Sequence, residues 1–225
     1  MHFKIIKSKT TPINKENLMA IIQGEISKSG KQCDLNHIDV SGITDMSWLF
    51  HNQEFNGDIS LWNVSKVIDM CGMFSYSEFN QDISQWNVSN VKDMGLMFHE
   101  SQFNQDISKW NVSSVKNMKH MFSDSVFNQD ISDWNVSSAL YMDKMFMRSK
   151  LNQDITNWRP QELESKNDMF ADSLMGETNR MPYWATVEIA FLKQAIGAYQ
   201  LQKTLKQKLT KDSAEKTPLF NTIKI

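Results

Sequence analysis

The chain has 225 residues with a formal net charge of −2, and apolar residues make up 40% of it. This length allows one domain, or one domain with an appendage, and this apolar share is enough for a packed core. The charge gives no field that would attract nucleic acid or an anionic membrane, and two cysteines give no disulfide framework.

The first residues show no targeting segment. No apolar run of seven or more residues follows the charges of residues 1–7, and no window approaches the 18 apolar residues of a membrane span. The sequence therefore predicts a soluble chain without membrane insertion or an export signal, for which a cytoplasmic location is favoured.

Residues 1–30 precede the regular part of the chain and are predicted to form an N-terminal cap. Residues 3–6 are expected to form a short strand. A helical pattern follows, with Asn14 as its N-cap and Gly30 at its end. Its apolar side carries Leu18, Met19, Ile21, Ile22 and Ile26. We expect this helix to cover the first open end of the repeat array that follows.

A 24-residue repeat occupies residues 31–174. Its six units begin at Lys31, Phe55, Phe79, Phe103, Phe127 and Leu151. Apolar residue types recur at fixed positions: Ile or Leu at position 5, Trp at position 8, Val at position 10, Met at position 16 and Phe at position 20. The first and last units depart most from this pattern, as terminal repeats do. The columns indicate a core shared between stacked units.

The spacing within one unit predicts its backbone. Ile83-x-x-Trp86-x-Val88 matches the L-x-x-L-x-L pattern of a leucine-rich repeat, and the alternation of Trp86 and Val88 with polar neighbours predicts a short strand. Val91 and Met94 follow at three-residue spacing, which suits a 3₁₀ or short helical return. The predicted fold is an α/β solenoid: a leucine-rich-repeat-like stack of six coils with short parallel strands, an N-terminal helical cap and a C-terminal helix.

Residues 175–210 are predicted to form the C-terminal helix, and residues 211–225 a flexible tail. Pro182 suits a helix start. An apolar stripe runs through Trp184, Val187, Phe191, Ala195, Tyr199, Leu205 and Leu209, and lysines gather near the end of the helix at Lys203, Lys206, Lys208 and Lys211. This pattern fits a cap over the last unit, a projecting helix that docks a partner or forms a dimer, or a basic amphipathic helix on a membrane surface.

A candidate binding face follows from one variable position among fixed neighbours. Position 7 carries Leu61, Gln85, Lys109 and Asp133 in the four central units. Two positions later, on the same outward face, stand Asn63, Asn87, Asn111 and Asn135, which are expected to form a ladder of stacked amides. The same asparagines match the N-glycosylation pattern, although repetition alone generates such matches. On the return side, Leu96, Leu140, Tyr141 and Met147 are expected to be exposed apolar residues.

No catalytic site, metal site or cofactor is predicted. Position 4 carries Asp58, Asp82, Asp106, Asp130 and Asp154. A row of carboxylates suits Ca²⁺, but aspartate at a turn usually accepts from nearby backbone amides, so turn formation is predicted. His51 and His99 share position 21 but stand two units apart, roughly 10 Å by strand spacing, too far to share one ion. The sequence contains no HExxH, CxxC, GxSxG or phosphate-loop motif.

The repeat resembles a bacterial surface-protein family whose units follow F-N-x-D-I-S-x-W-N-V-S-x-V-x-x-M-x-x-M-F, the BspA-like or DUF285 leucine-rich repeat family. The resemblance covers residues 31–174 and implies an adhesive or partner-binding protein, often exported, without assigned catalysis. The function favoured is non-catalytic binding of a protein partner across the strand face. The alternatives are an exported adhesin that contacts host protein or glycan, and a metal-dependent enzyme, for which no constellation of residues is found.

Overall fold

The structure is a computed structural model that describes residues 10–178 and 181–215. The strand predicted at residues 3–6, and residues 216–225 of the predicted tail, lie outside the described residues. The chain divides into two units, Met1–Thr186 and Val187–Ile225. The helices of the described residues are α1 (Lys15–Ser29), α2 (Leu174–Glu177), α3 (Tyr183–Thr186) and α4 (Ile189–Glu215).

Helix α1 begins and ends where the sequence predicts. The Asn14 side chain accepts a hydrogen bond from the Asn17 N–H, which satisfies one of the free donors at the start of the helix. Gly30 follows the last residue at a φ of 84°, a left-handed conformation that glycine adopts without steric cost. The predicted helix between Asn14 and Gly30 is confirmed.

Helix α1 contacts the first repeat unit. Leu18 and Ile22 on its apolar side are fully buried. The Lys15 ammonium donates to both carboxylate oxygens of Asp45, 3.2 Å away, and to the Ser47 hydroxyl. The helix is therefore held by apolar burial on one side and by an ion pair at its first turn.

The predicted α/β solenoid with short parallel strands is wrong. The described residues contain no strand and no sheet, only isolated bridges between single residues. The segment expected to be a strand turns twice, because the Trp86 N–H donates to the Ile83 carbonyl and the Val91 N–H donates to the Val88 carbonyl. Each unit consists mainly of turns, so the leucine-rich-repeat comparison does not describe its backbone.

Side-chain oxygens explain why turns replace the extended conformation. Asp82 Oδ1 accepts from the Ser84 N–H at 2.8 Å, and Asn87 Oδ1 accepts from the Ser89 N–H at 3.2 Å. Such bonds give the backbone a local partner in place of a neighbouring strand. Equivalent bonds are made by Asp58, Asp106, Asp130 and Asp154. The predicted turn-forming role of the position 4 aspartates is confirmed.

Backbone pairing between units occurs in the second half of the repeat, where a helical return was predicted. Parallel bridges join Asp45, Asp69, Asp93, Asn117, Tyr141 and Ser165 in succession. From Met70 onward, every second N–H donates to the next unit: Met70 to Asp93, Gly72 to Gly95 and Phe74 to Met97, at 2.8–2.9 Å. Consecutive units therefore contact one another through equivalent backbone groups.

Two residues in each unit adopt a left-handed conformation within this half. Position 18 holds Trp48, Gly72, Leu96, His120, Lys144 and Asp168, and position 22 holds Asn52, Tyr76, Glu100, Asp124, Arg148 and Asp172, all with φ between 49° and 61°. Left-handed backbone costs about 1–2 kcal/mol at a non-glycine residue, and in the first five units the N–H of each of these residues donates to the next unit, which offsets that cost. At Gly72 an added Cβ would lie 2.3 Å from the Trp48 ring, so any side chain there would require that ring to move.

The apolar columns form the core, as the repeat predicts. The indoles at position 8, from Trp62 to Trp158, are at most 4% exposed. Each indole N–H donates to the position 5 carbonyl of the preceding unit, as Trp110 does to Ile83 at 3.1 Å. The phenylalanines at positions 1 and 20 stack along the array, and Phe98 lies 4.2 Å from Phe103 between ring centroids. The core therefore runs continuously from unit to unit.

An amide ladder does exist, but at position 2 and not at position 9. Asn80 Oδ1 accepts from the backbone N–H of Asn104 at 2.9 Å and from the Gln105 side chain at 3.1 Å, both in the next unit. Asn56, Asn104 and Asn128 act in the same way. In this ladder the side-chain oxygen of one unit accepts from a backbone N–H of the next, a donor that would bond to a backbone carbonyl in a sheet.

The C-terminal residues form three helices where one was predicted. Trp184 in α3 is buried, stacks on Trp158 at 6.3 Å and donates its indole N–H to the Ile155 carbonyl, so it adds a sixth ring to the indole column. Within the second unit, α4 runs to Glu215, so residues 211–215 of the predicted tail are helical. Tyr199, Leu201 and Leu205 are exposed on α4.

Candidate functional site

The eight predicted binding residues are all exposed, on turns and not on a strand face. Leu61 has 78% of its surface exposed. The position 9 asparagines bond within their own units and form no ladder, as Asn87 does to Ser89. The position 7 side chains Leu61, Gln85, Lys109 and Asp133 occupy one exposed column, and whether they bind a partner stays a prediction. On the return side, Leu96, Leu140, Tyr141 and Met147 are half-buried.

A second variable surface lies on the left-handed turns. Positions 18 and 22 carry a different residue in each of the four central units, as position 7 does, while Met and Phe between them stay fixed. We name positions 18, 21 and 22 of the units the turn strip. In the units from residue 31 to residue 150 it comprises Trp48, His51, Asn52, Gly72, Ser75, Tyr76, Leu96, His99, Glu100, His120, Ser123, Asp124, Lys144, Met147 and Arg148.

Aromatic rings follow one another along the turn strip. The Trp48 and His51 centroids are 5.2 Å apart at 89°, His51 and Tyr76 are 5.8 Å apart at 86°, and Tyr76 and His99 are 5.1 Å apart at 85°. His120 continues the row 5.8 Å from His99. Edge-to-face contacts of this kind are favourable. Trp48 and Tyr76 nevertheless remain 41% and 46% exposed, which makes them available to a partner.

Charged groups adjoin the aromatic row. The Arg148 guanidinium donates two hydrogen bonds to the Asp124 carboxylate, at 2.6 and 2.8 Å. Burial by itself raises the pKa of Asp124, but the hydrogen bonds from Arg148 and Ser123 hold it below its usual value. The exposed Glu100 carboxylate accepts from the Tyr76 hydroxyl, and this bond raises the pKa of Tyr76. The strip therefore combines apolar rings with carboxylates of two kinds, one paired with arginine and one open to solvent.

A row of carboxylates lies along the bridges. Burial is the largest influence on Asp69 and raises its pKa, and the nearby charges of Asp93 and Asp45 raise it further. Two units later Asn117 replaces the aspartate, and its amide donates to the Asp93 carboxylate at 2.9 and 3.1 Å. Position 15 therefore differs between units: Asp69 is repelled by the neighbouring carboxylates, whereas Asn117 donates a hydrogen bond to one of them.

Replacing Asp69 with asparagine is expected to stabilise the protein by about 1 kcal/mol at pH 7, because the amide removes like-charge repulsion and can donate to Asp45 as Asn117 does to Asp93. A raised pKa in the folded state means that the wild-type penalty is present at neutral pH and fades as the pH falls through that pKa toward 3.8. Urea unfolding of both proteins between pH 7 and pH 3.5 measures the difference.

The control for this substitution is Asp106→Asn at an exposed turn. Hydrogen bonds from Ser108 lower the pKa of Asp106, so loss of its charge should destabilise slightly or leave the stability unchanged at pH 7. A gain for Asp69→Asn that stayed the same at pH 3.5 would show that charge repulsion is not its cause.

Three side chains on the turn strip converge. His99, Glu100 and Asp124 each place one nitrogen or carboxylate oxygen within 4.8 Å of the others, the single such cluster of three or more histidine, cysteine or acidic residues among the described residues. The aligned repeat does not reveal this cluster, because His99 and Asp124 occupy different repeat positions. Two features of the sequence could have pointed to it: the residues around the fixed Met and Phe vary between units, and three of the five histidines lie at these variable positions.

The described helices include none that is long and apolar enough to cross a membrane. The search of curated proteins and the search of solved structures give no match. The family model described as "Mycoplasma protein of unknown function, DUF285" matches residues 24–125 and 99–184 in two overlapping segments. Overlapping matches are expected when one model covers several copies of a repeat. The chain therefore belongs to the DUF285 family, the family that its repeat resembles.

Proposed function

We propose that this protein is a non-catalytic scaffold that binds a protein partner through the turn strip. The observation that carries the proposal is the contrast between a fixed core and position 22, whose residue differs in each central unit and is exposed in three of them, as Tyr76, Glu100 and Arg148. Positions 18 and 22 differ in all four central units, whereas the buried Met and Phe between them do not change. Exposed variation on a constant framework is what a binding surface of a repeat protein requires.

The framework supports binding because it holds the strip in place. The Tyr76 N–H donates to the His99 carbonyl at 2.8 Å, and the Leu96 N–H donates to the Lys119 carbonyl at 2.8 Å. Each left-handed residue of the turn strip in the units from residue 31 to residue 150 thus bonds to the next unit. A surface that is already ordered loses little conformational entropy on docking, which leaves more of the contact energy for affinity.

The exposed rings supply anchors of the type that dominate protein interfaces. Tryptophan and tyrosine are enriched among residues whose truncation weakens binding most. Trp48 and Tyr76 are the large aromatic residues exposed on the strip, and they stand in adjacent units with His51 between them. We expect the partner to cover these two rings, with Glu100 and Arg148 as polar contacts at the rim.

The test is affinity capture from a native lysate with three baits: wild type, the double variant Trp48→Ala, Tyr76→Ala, and the double variant Lys109→Ala, Asp133→Ala. Each variant removes two side chains outside the buried core, so each should keep the wild-type circular dichroism spectrum and unfold cooperatively. Mass spectrometry is expected to identify proteins that wild type and the Lys109, Asp133 variant enrich and that the Trp48, Tyr76 variant loses.

If the captured proteins were lost only with the Lys109, Asp133 variant, the binding surface would be the face predicted from position 7, and the turn strip would be refuted. If the wild-type bait enriched no protein relative to an unrelated bait of the same charge, the proposal of protein binding would be contradicted.

A further inference from the structure

The middle of helix α4 is exposed on every side. Every residue between 194 and 208 whose side chain the structure describes is exposed. Tyr199 and Leu201 each have 62% of their surface exposed, and Leu205 has 52%. Isolated helices are marginal in water, and most helical stability in proteins comes from the packing of an apolar side. A 27-residue helix that buries so little of its middle therefore needs a partner.

The exposed apolar residues of α4 do not form one broad apolar side. Leu201 and Leu205 are four residues apart and share a face, which Lys208 continues seven residues after Leu201. Tyr199 is two residues before Leu201, about 200° around the helix, so it lies on the other side. A helix on a membrane surface has one apolar side and one charged side. The arrangement on α4 favours a protein partner instead.

The two units of the chain carry opposite net charge. Residues 187–225 contain seven lysines and three acidic residues, whereas residues 1–186 contain 17 basic and 23 acidic residues. Surfaces of opposite sign attract each other and fix the register in which two proteins dock. The repeat array of a second copy of this chain is therefore a surface of the charge that α4 requires.

One column of the array concentrates this negative charge. Position 4 is an exposed aspartate in all six units, and we name these residues the aspartate row: Asp34, Asp58, Asp82, Asp106, Asp130 and Asp154. Within the described part of the chain, none of them takes part in an ion pair. Bridged units rise by about 5 Å, so the row spans about 25 Å, and the exposed middle of α4 is about 22 Å long.

We propose that α4 docks on the aspartate row of a second copy of this chain. Leu201 and Leu205 then cover Leu61, which is 78% exposed and follows Asp58 by three residues. Lys208 faces the carboxylates. When each copy gives its helix to the other, the two contacts are equivalent and the dimer closes. The row lies in the first half of the unit and the turn strip in the second, so this dimer does not depend on the proposed protein partner.

The experiment is sedimentation velocity of the full-length protein over a range of concentrations, in about 50 and about 500 mM NaCl. Wild type is expected to dimerise, with a dissociation constant at least about tenfold higher in the higher salt, because salt screens exposed charges. The helix variant, Leu201→Gln, Leu205→Gln, should raise the dissociation constant at least about tenfold, and so should the row variant, Asp82→Asn, Asp106→Asn.

Asp168→Asn, Asp172→Asn is the matched control for the row variant. It removes the same charge from exposed positions outside the row, and asparagine tolerates their left-handed conformation. The control should leave the dissociation constant within about twofold of wild type. The row variant should fold normally, because the asparagine side-chain oxygen can accept the turn bonds that Asp82 and Asp106 accept.

A mixture of the helix variant and the row variant tests the exchange of helices directly. The row variant keeps an intact helix and the helix variant keeps an intact row, so the mixture should form a heterodimer at a concentration where each variant alone is a monomer. No rescue in the mixture would refute docking of the helix on the row. A monomeric wild type, including one that binds vesicles of anionic lipid, or equal losses for the row variant and its control, would refute it too.

Discussion

Phe98→Ala is expected to lower the free energy of unfolding by about 3–5 kcal/mol. The Phe98 ring is fully buried, lies 4.2 Å from Phe103 and stacks on Phe74 and Phe122 in the units before and after it. Truncation therefore removes contacts on both sides and leaves a cavity in the middle of the array, where neither unit can collapse into it. Urea unfolding followed by circular dichroism measures the loss.

Phe170→Ala is the matched control at the last unit. The Phe170 ring is 6% exposed and stacks on Phe146 alone among the described aromatic rings. In a repeat array each unit interacts with its nearest neighbours, so a ring with one stacked neighbour should lose less than a ring with two. Equal losses for the two variants would mean that the core does not act through contacts between neighbouring units.

The position of each buried side chain could be predicted from the repeat, because burial follows the period whatever the backbone does. Trp110 and Met118 recur at fixed spacing and are buried. The backbone could not be predicted in the same way. Apolar residues spaced as Ile83, Trp86 and Val88 fit both a strand and a pair of turns, and the local bonds of Asp82 and Asn87 decide for turns.

The second half of the unit was harder to predict because its shape depends on left-handed residues that are not glycine. Gly72 is the single glycine at position 18, and Leu96, His120 and Lys144 adopt the same conformation with side chains that usually avoid it. Their N–H groups bond to carbonyls of the next unit, and no local preference encodes those bonds. The convergence of His99 and Asp124 follows from these turns, so aligning residues by repeat position could not reveal it.

Asn104→Ala is expected to destabilise the protein by about 1–3 kcal/mol, the second large effect. Asn104 Oδ1 accepts from the Asn128 N–H at 2.8 Å and from the Gln129 side chain at 3.2 Å. Alanine leaves both donors, which are half-buried between two units, without their side-chain acceptor, and a donor shielded from water costs more when unsatisfied than the bond contributes when it is made. Denaturant midpoints of the variant and the wild type give the difference.

Asn111→Ala tests whether the two asparagine columns differ as the structure indicates. Asn111 is exposed and bonds only to Ser113 in its own unit, so its loss should cost about 0.5 kcal/mol or less. Asn104→Asp should recover most of the loss seen with alanine, because a carboxylate oxygen can accept the same two bonds. An equal loss of stability for Asn111→Ala and Asn104→Ala would contradict this difference, because it would show that the asparagines at position 2 contribute no more to stability than those at position 9.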